Sequence, residues 1–131
     1  MRNCRVTITT IAGGEENSII RKGEMQLSSR TATVCYLEED AKICLKVEEN
    51  CVDIERKGDY TLSLHLLQGK QNKGRLGIMG SDGEIGVHTH KVAYSIGEDF
   101  LLLSLHYDLL FGEDKQQMQL RMLARLEKTE D

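Results

Sequence analysis

Apolar residues recur at every second position through most of the chain, the period of a strand with one face in a core and the other in water. Val6 and Ile8 begin the series, and Met25 and Leu27 follow the Gly13-Gly14 break. Val34 and Tyr36 come next, then Ile43, Leu45 and Val47, then Val52 and Ile54, then Tyr60, Leu62, Leu64 and Leu66. Later segments carry Leu76 and Ile78, Ile85 and Val87, and the long run Leu101, Leu103, Leu105, Tyr107 and Leu109. Short polar connections separate them: Glu39-Asp40-Ala41, Glu48-Glu49-Asn50, Lys57-Gly58-Asp59 and Ser81-Asp82-Gly83 read as tight hairpin turns. Hairpins force antiparallel neighbours, and closure of the resulting meander removes exposed strand edges. The pattern predicts an all-β fold, an antiparallel up-and-down barrel of roughly 8 to 10 strands.

Residues 116–128 test this reading, because Gln, Met, Leu, Arg, Ala and Glu all favour helix. Wound as a helix, however, the apolar residues of this segment spread over roughly 240° of its surface. As a strand, Met118, Leu120, Met122, Ala124 and Leu126 share one face and Gln117, Gln119, Arg121, Arg125 and Glu127 the other. A final strand is therefore expected. Residues 69–74, rich in Gly, Lys, Gln and Asn, read as the most flexible loop.

Composition narrows the function classes. The 131 residues suit one domain, 1–131, and 40% hydrophobic with 29% charged residues is the balance of a globular protein. Proline is absent, consistent with uninterrupted ladders. With 21 acidic against 17 basic residues the net charge is -4, which gives no positive field for phosphates and argues against a nucleic-acid partner. No apolar run approaches the ~20 residues of a membrane helix, so no membrane partner is expected. The first residues lack the apolar stretch of a secretory signal, and a cytoplasmic location is the default expectation. Cys4, Cys35, Cys44 and Cys51 form no C-x-x-C pair and are expected to be reduced. Cys35 and Cys44 lie across the turn at Glu39-Asp40 and would be directly opposed if its loop has two residues.

His88-x-His90 places two imidazoles on one strand face, an arrangement that Zn²⁺ uses when a third ligand approaches. Without a recognisable third ligand the expectation is no metal and no cofactor. His65 and His106 fall in the polar parity of their strands and are read as facing water. No G-x-S-x-G or spaced Ser/His pair suggests catalysis, and no catalytic residue is assigned. Gly77, Gly80, Gly83 and Gly86 surround short strands and read as turns or bends, not a phosphate loop.

Two charges break the strand pattern. Arg56 has the inward parity of Val52 and Ile54, and Glu38 that of Val34 and Tyr36. The third, fifth and ninth strands of a meander run the same way, so Glu38, Arg56 and Tyr107 are expected at one rim, as an end-plug or a ligand anchor.

The order of several short motifs resembles the YwiB-like bacterial family of unknown function. These are Tyr36-x-Glu38-Glu39, Arg56-x-Gly58, Gly80 followed by Glu84-Ile85-x-Val87-x-Thr89, and Leu103-x-Leu105-x-Tyr107 before the last strand. The chain departs from the pattern at Met79, where an aromatic residue is usual. The resemblance implies a calycin-like, lipocalin-type β-barrel with an interior. Fold analogy then favours a non-enzymatic barrel that binds a small anionic or amphipathic ligand. The alternative is a protein-interaction or accessory module with a side-chain-filled barrel, and an enzyme ranks third.

Overall fold

The computed structural model describes residues 1–128, in which ten antiparallel strands and no helix are found. They are β1 (Arg2–Ala12), β2 (Glu15–Leu27), β3 (Ala32–Glu38), β4 (Ala41–Glu48) and β5 (Cys51–Lys57). After these come β6 (Tyr60–Leu67), β7 (Gln71–Ile78), β8 (Ser81–Ile96), β9 (Phe100–Phe111) and β10 (Asp114–Leu126). Each strand pairs with its neighbours in sequence, and β1 pairs with β10 to close the barrel. The expected meander and the expected final strand are both present. Strand parity overrides helix propensity in β10 because Leu120, Met122, Ala124 and Leu126 are all buried on one face.

The inward faces pack into one continuous apolar cluster. Every strand but β7 contributes buried residues, from Cys4, Val6 and Ile8 on β1 to Met122 and Ala124 on β10. On β7 the inward position is Gly74, where a methyl group would sit 2.6 Å from the Ser63 carbonyl oxygen and 2.8 Å from Leu64 Cδ2. Leu64 and Ile85 occupy the space that a β7 side chain would need. The middle of the barrel is thus packed by its own side chains.

Several local expectations are corrected. The β7–β8 turn falls at Met79 and Gly80, both at positive φ, and Ser81-Asp82-Gly83 lies inside β8. The segment 69–74 is not a loop throughout, since residues 71–74 open β7. β2 starts at Glu15, directly after the Gly13-Gly14 turn, because pairing with the whole length of β1 holds its polar half in the sheet. The cysteines are not all reduced: Cys35 and Cys44 are disulfide-bonded, and Cys4 and Cys51 are free. The physical reason is the turn. Two residues, Glu39 and Asp40, connect Glu38 to its partner Ala41, so Cys35 and Cys44 face each other across a close pair with Cα atoms 4.1 Å apart.

One irregularity shapes the outer wall. Between β8 and β9, Thr89 pairs with Tyr107 and Lys91 with His106, leaving His90 as the extra residue of a bulge. The β6–β7 connection braces it. Gly69 N–H donates to the Thr89 carbonyl, Thr89 N–H donates to the Lys70 carbonyl, both at 2.9 Å, and Gln68 Oε1 accepts from Val92 N–H at 3.0 Å. After the bulge the inward parity slips by one, so Val92 is buried and Tyr94 and Ile96 pack against the core.

Candidate functional site

β3, β5 and β9 run toward the same end of the barrel, which brings Glu38, Arg56 and Tyr107 to that half. They do not form one cluster. Arg56 turns inward with its side chain 19% exposed, yet its guanidinium binds Asp59 Oδ1 at 2.9 Å and the Tyr60 carbonyl at 2.7 Å. It also lies over the Tyr60 ring, 3.6 Å from the centroid. The exposed Asp59 carboxyl is held below the usual carboxylate range, chiefly by the hydrogen bond from Arg56. The guanidinium is therefore satisfied by its own hairpin and makes no hydrogen bond or ion pair with Glu38.

Glu38 and Tyr107 belong to a second polar group centred on Tyr36. Burial pushes the Tyr36 phenol up, the Glu38 carboxylate and Tyr107 add to that, and Arg21 opposes it. Burial alone pushes Tyr107 up to about 12. Arg21 holds an inward position on β2 opposite Val6, two residues beyond the last β2–β3 pair Gly23–Tyr36, and its Nη1 donates to the Ile20 carbonyl at 3.0 Å. Two arginines, Arg21 and Arg56, thus hold inward parity in the half of the barrel that also carries Glu38. Tyr60, Ile78 and Phe111 take inward parity at the same end and remain exposed there, with Met79 beside them 94% exposed.

The outer wall carries two further constellations. On β5 and β6, His65 Nδ1 bonds the Asp53 carboxylate, and Cys51 Sγ lies 3.6 Å from both ring nitrogens. These are the residue types of a thiol nucleophile with its base and orienting acid. The chemistry runs the other way: burial first, then the Asp53 and Glu48 charges, raises the Cys51 thiol and disfavours the thiolate.

On β8 and β9, Asp108 is only 3% exposed although it points to the outer wall. Its Oδ2 lies 2.7 Å from His90 Nε2, while its Oδ1 is buried with no partner among the described residues. His88 is the direct cross-strand neighbour of Asp108, and the His88 and His90 ring centroids are 4.4 Å apart. His106 flanks them, 5.3 Å from His90 by ring centroid. The bulge creates this group by turning His90 over Asp108, whose mid-strand acid would otherwise face water.

Residues 2–122 match the model of a domain family described as a domain of unknown function, DUF1934. The chain belongs to this family. Its fold is similar to that in the crystal structure of the ywiB protein from Bacillus subtilis, with a TM-score of 0.82 over 97% of this chain and 93% of that one. At 16% identity that likeness is one of fold. No curated protein matches the chain.

For this DUF1934 chain the YwiB-like resemblance read from the motifs stands. Glu38, Arg56 and Tyr107 were expected together at one rim, but Tyr107 is buried inside the barrel, four residues short of the end of β9, and Arg56 turns to Asp59 and Tyr60. The reading did not include Tyr36, Arg21, Asp59 or Tyr60. Tyr36 had been read as core, and Arg21 lies in the half of β2 where apolar alternation fades. His65 faces water as its parity implies, and Asp53 and Cys51 also engage it. Asp108 left one signal, since an aspartate inside an apolar strand is rare. Its histidine partners follow only from a register that the bulge alters.

Proposed function

We propose that the protein is a non-enzymatic binding module, calycin-like in architecture, that holds a small anionic or amphipathic molecule at the Arg21 and Arg56 end of the barrel. The observation that carries this reading is the inward Arg56 against the Tyr60 ring, with Ile78, Met79 and Phe111 exposed at the same end and Arg21 at inward parity on β2. A cation next to apolar surface suits a ligand with an anionic head and an apolar body. The packed interior directs the ligand to the mouth, where it would displace Asp59 from Arg56. Charge also favours this: Arg56 is restrained only by an exposed carboxylate, and such surface pairs hold weakly.

The test uses 8-anilinonaphthalene-1-sulfonate, an anionic amphipathic probe, with near-ultraviolet circular dichroism as a check that packing is unchanged. Saturable binding of one probe per chain that weakens in Arg56→Gln and Arg21→Gln supports the reading. Binding that is absent, or indifferent to both substitutions, counts against it.

A second reading has its own support. Met79, Ile78 and Tyr60 expose apolar surface beside the mouth, as a protein-interaction module would. Native mass spectrometry separates the two, with a retained small molecule favouring the first and a co-purifying polypeptide the second.

A further inference from the structure

We propose that His88, His90 and Asp108 form a site for a divalent transition-metal ion of the Zn²⁺ class on the outer wall of the barrel, independent of the ligand reading. One ligand atom from each residue lies within 4.8 Å of the others. Tetrahedral zinc with bonds of about 2.0 to 2.2 Å needs ligand atoms about 3.4 Å apart, so small side-chain rotations complete the geometry. The donor set of two imidazoles and a carboxylate is one that zinc accepts, with the fourth position open to water.

Asp108 supplies the independent observation. Its carboxylate is almost wholly removed from solvent, and one oxygen already holds His90 Nε2 at 2.7 Å. The other oxygen is buried without a partner. A buried carboxylate oxygen left without a partner costs stability, and a bound cation supplies that partner. His88 is the cross-strand neighbour of Asp108, and its ring is tilted at 46° to that of His90 with the centroids 4.4 Å apart, so both imidazoles border the buried carboxylate. A metal ion held by the two imidazoles and the carboxylate would satisfy the orphaned oxygen. The frame is firm enough for such a site, since the bulge that aims His90 is clamped through Thr89 and Val92 by residues 68–70.

The experiment is isothermal titration calorimetry of the full chain, stripped of metal by chelator, with ZnCl₂. The expected result is saturable binding in the micromolar range or tighter, weakened at least ~10-fold in the His88→Ala/His90→Ala variant and in Asp108→Asn. Circular dichroism verifies that each variant is folded, and the histidine variant decides the matter if Asp108→Asn is not. Cys51→Ser/His65→Ala removes the other cluster on the wall and should leave this binding intact. Imidazole resonances of His88 and His90 should shift with zinc in the nuclear magnetic resonance spectrum. No saturable binding at hundred-micromolar zinc overturns the proposal. So does binding that survives the histidine substitutions or is abolished only by Cys51→Ser/His65→Ala.

Discussion

The Arg56 guanidinium lies 3.6 Å from the centre of the Tyr60 ring while its hydrogen bonds go to Asp59 and the Tyr60 carbonyl. Arg56 therefore belongs to the β5–β6 hairpin and not to a bridge across the barrel mouth. A double-mutant cycle on stability expresses the difference. Arg56 and Asp59 should show a small favourable coupling. Arg56 and Glu38 should couple within error of zero. A larger Arg56–Glu38 term in urea denaturation would mean that the two residues share an ion pair at the mouth.

Strand order and inward parity were legible because each depends on local alternation and short turns. The same logic gave Arg56 its inward parity. What escaped it is non-local. Nothing in His88-x-His90 announces that one residue of β8 is extra, yet that residue decides whether His90 reaches Asp108 and why Val92, not Lys91, enters the core. Likewise, the opposition of Cys35 and Cys44 was visible, but their oxidation state was inferred from an expected compartment and not from the hairpin that holds them together.

The disulfide gives a direct count. Protein denatured without reductant should show two reactive thiols, Cys4 and Cys51, and denatured with prior reduction and reductant removal it should show four. Cys35→Ser/Cys44→Ser should lower stability by at most about 2 to 3 kcal/mol, since the closed loop is short. The hairpin already restrains those residues, so the loss should fall at the lower end. Four thiols in oxidised, denatured protein would remove the bond.

Packing around β7 makes a paired prediction. Leu66 is fully buried, and Leu66→Ala should cost about 2 to 5 kcal/mol by leaving a cavity. Gly74→Ala adds one methyl group and should still cost about 1 to 3 kcal/mol, because the Ser63 carbonyl and Leu64 Cδ2 occupy its place. Chemical denaturation of both variants checks this. A neutral Gly74→Ala would show that β6 and β7 can separate freely.

Tyr107 links the interior to pH. Burial pushes its phenol up to about 12, against an ordinary value of 10. Below pH 10 both folded and unfolded chains keep the proton, and the stabilisation of the neutral phenol is fully present. Between about pH 10 and 12 the unfolded chain loses the proton while the folded chain retains it, so the unfolded state binds fewer protons and stability falls as pH rises. The loss from this one group should reach about 2 kcal/mol by pH 12. Tyr36, raised by burial with Glu38 and Tyr107 adding, contributes in the same direction. The stability of Tyr107→Phe relative to the parent should therefore rise by about 2 kcal/mol between pH 10 and 12. Urea denaturation at stepped pH measures this, with phenolate absorbance near 295 nm reporting ionisation. If the stability difference between Tyr107→Phe and the parent stays constant through pH 11.5, a value above the phenol's ordinary one, the Tyr107 phenol is not held neutral by the fold.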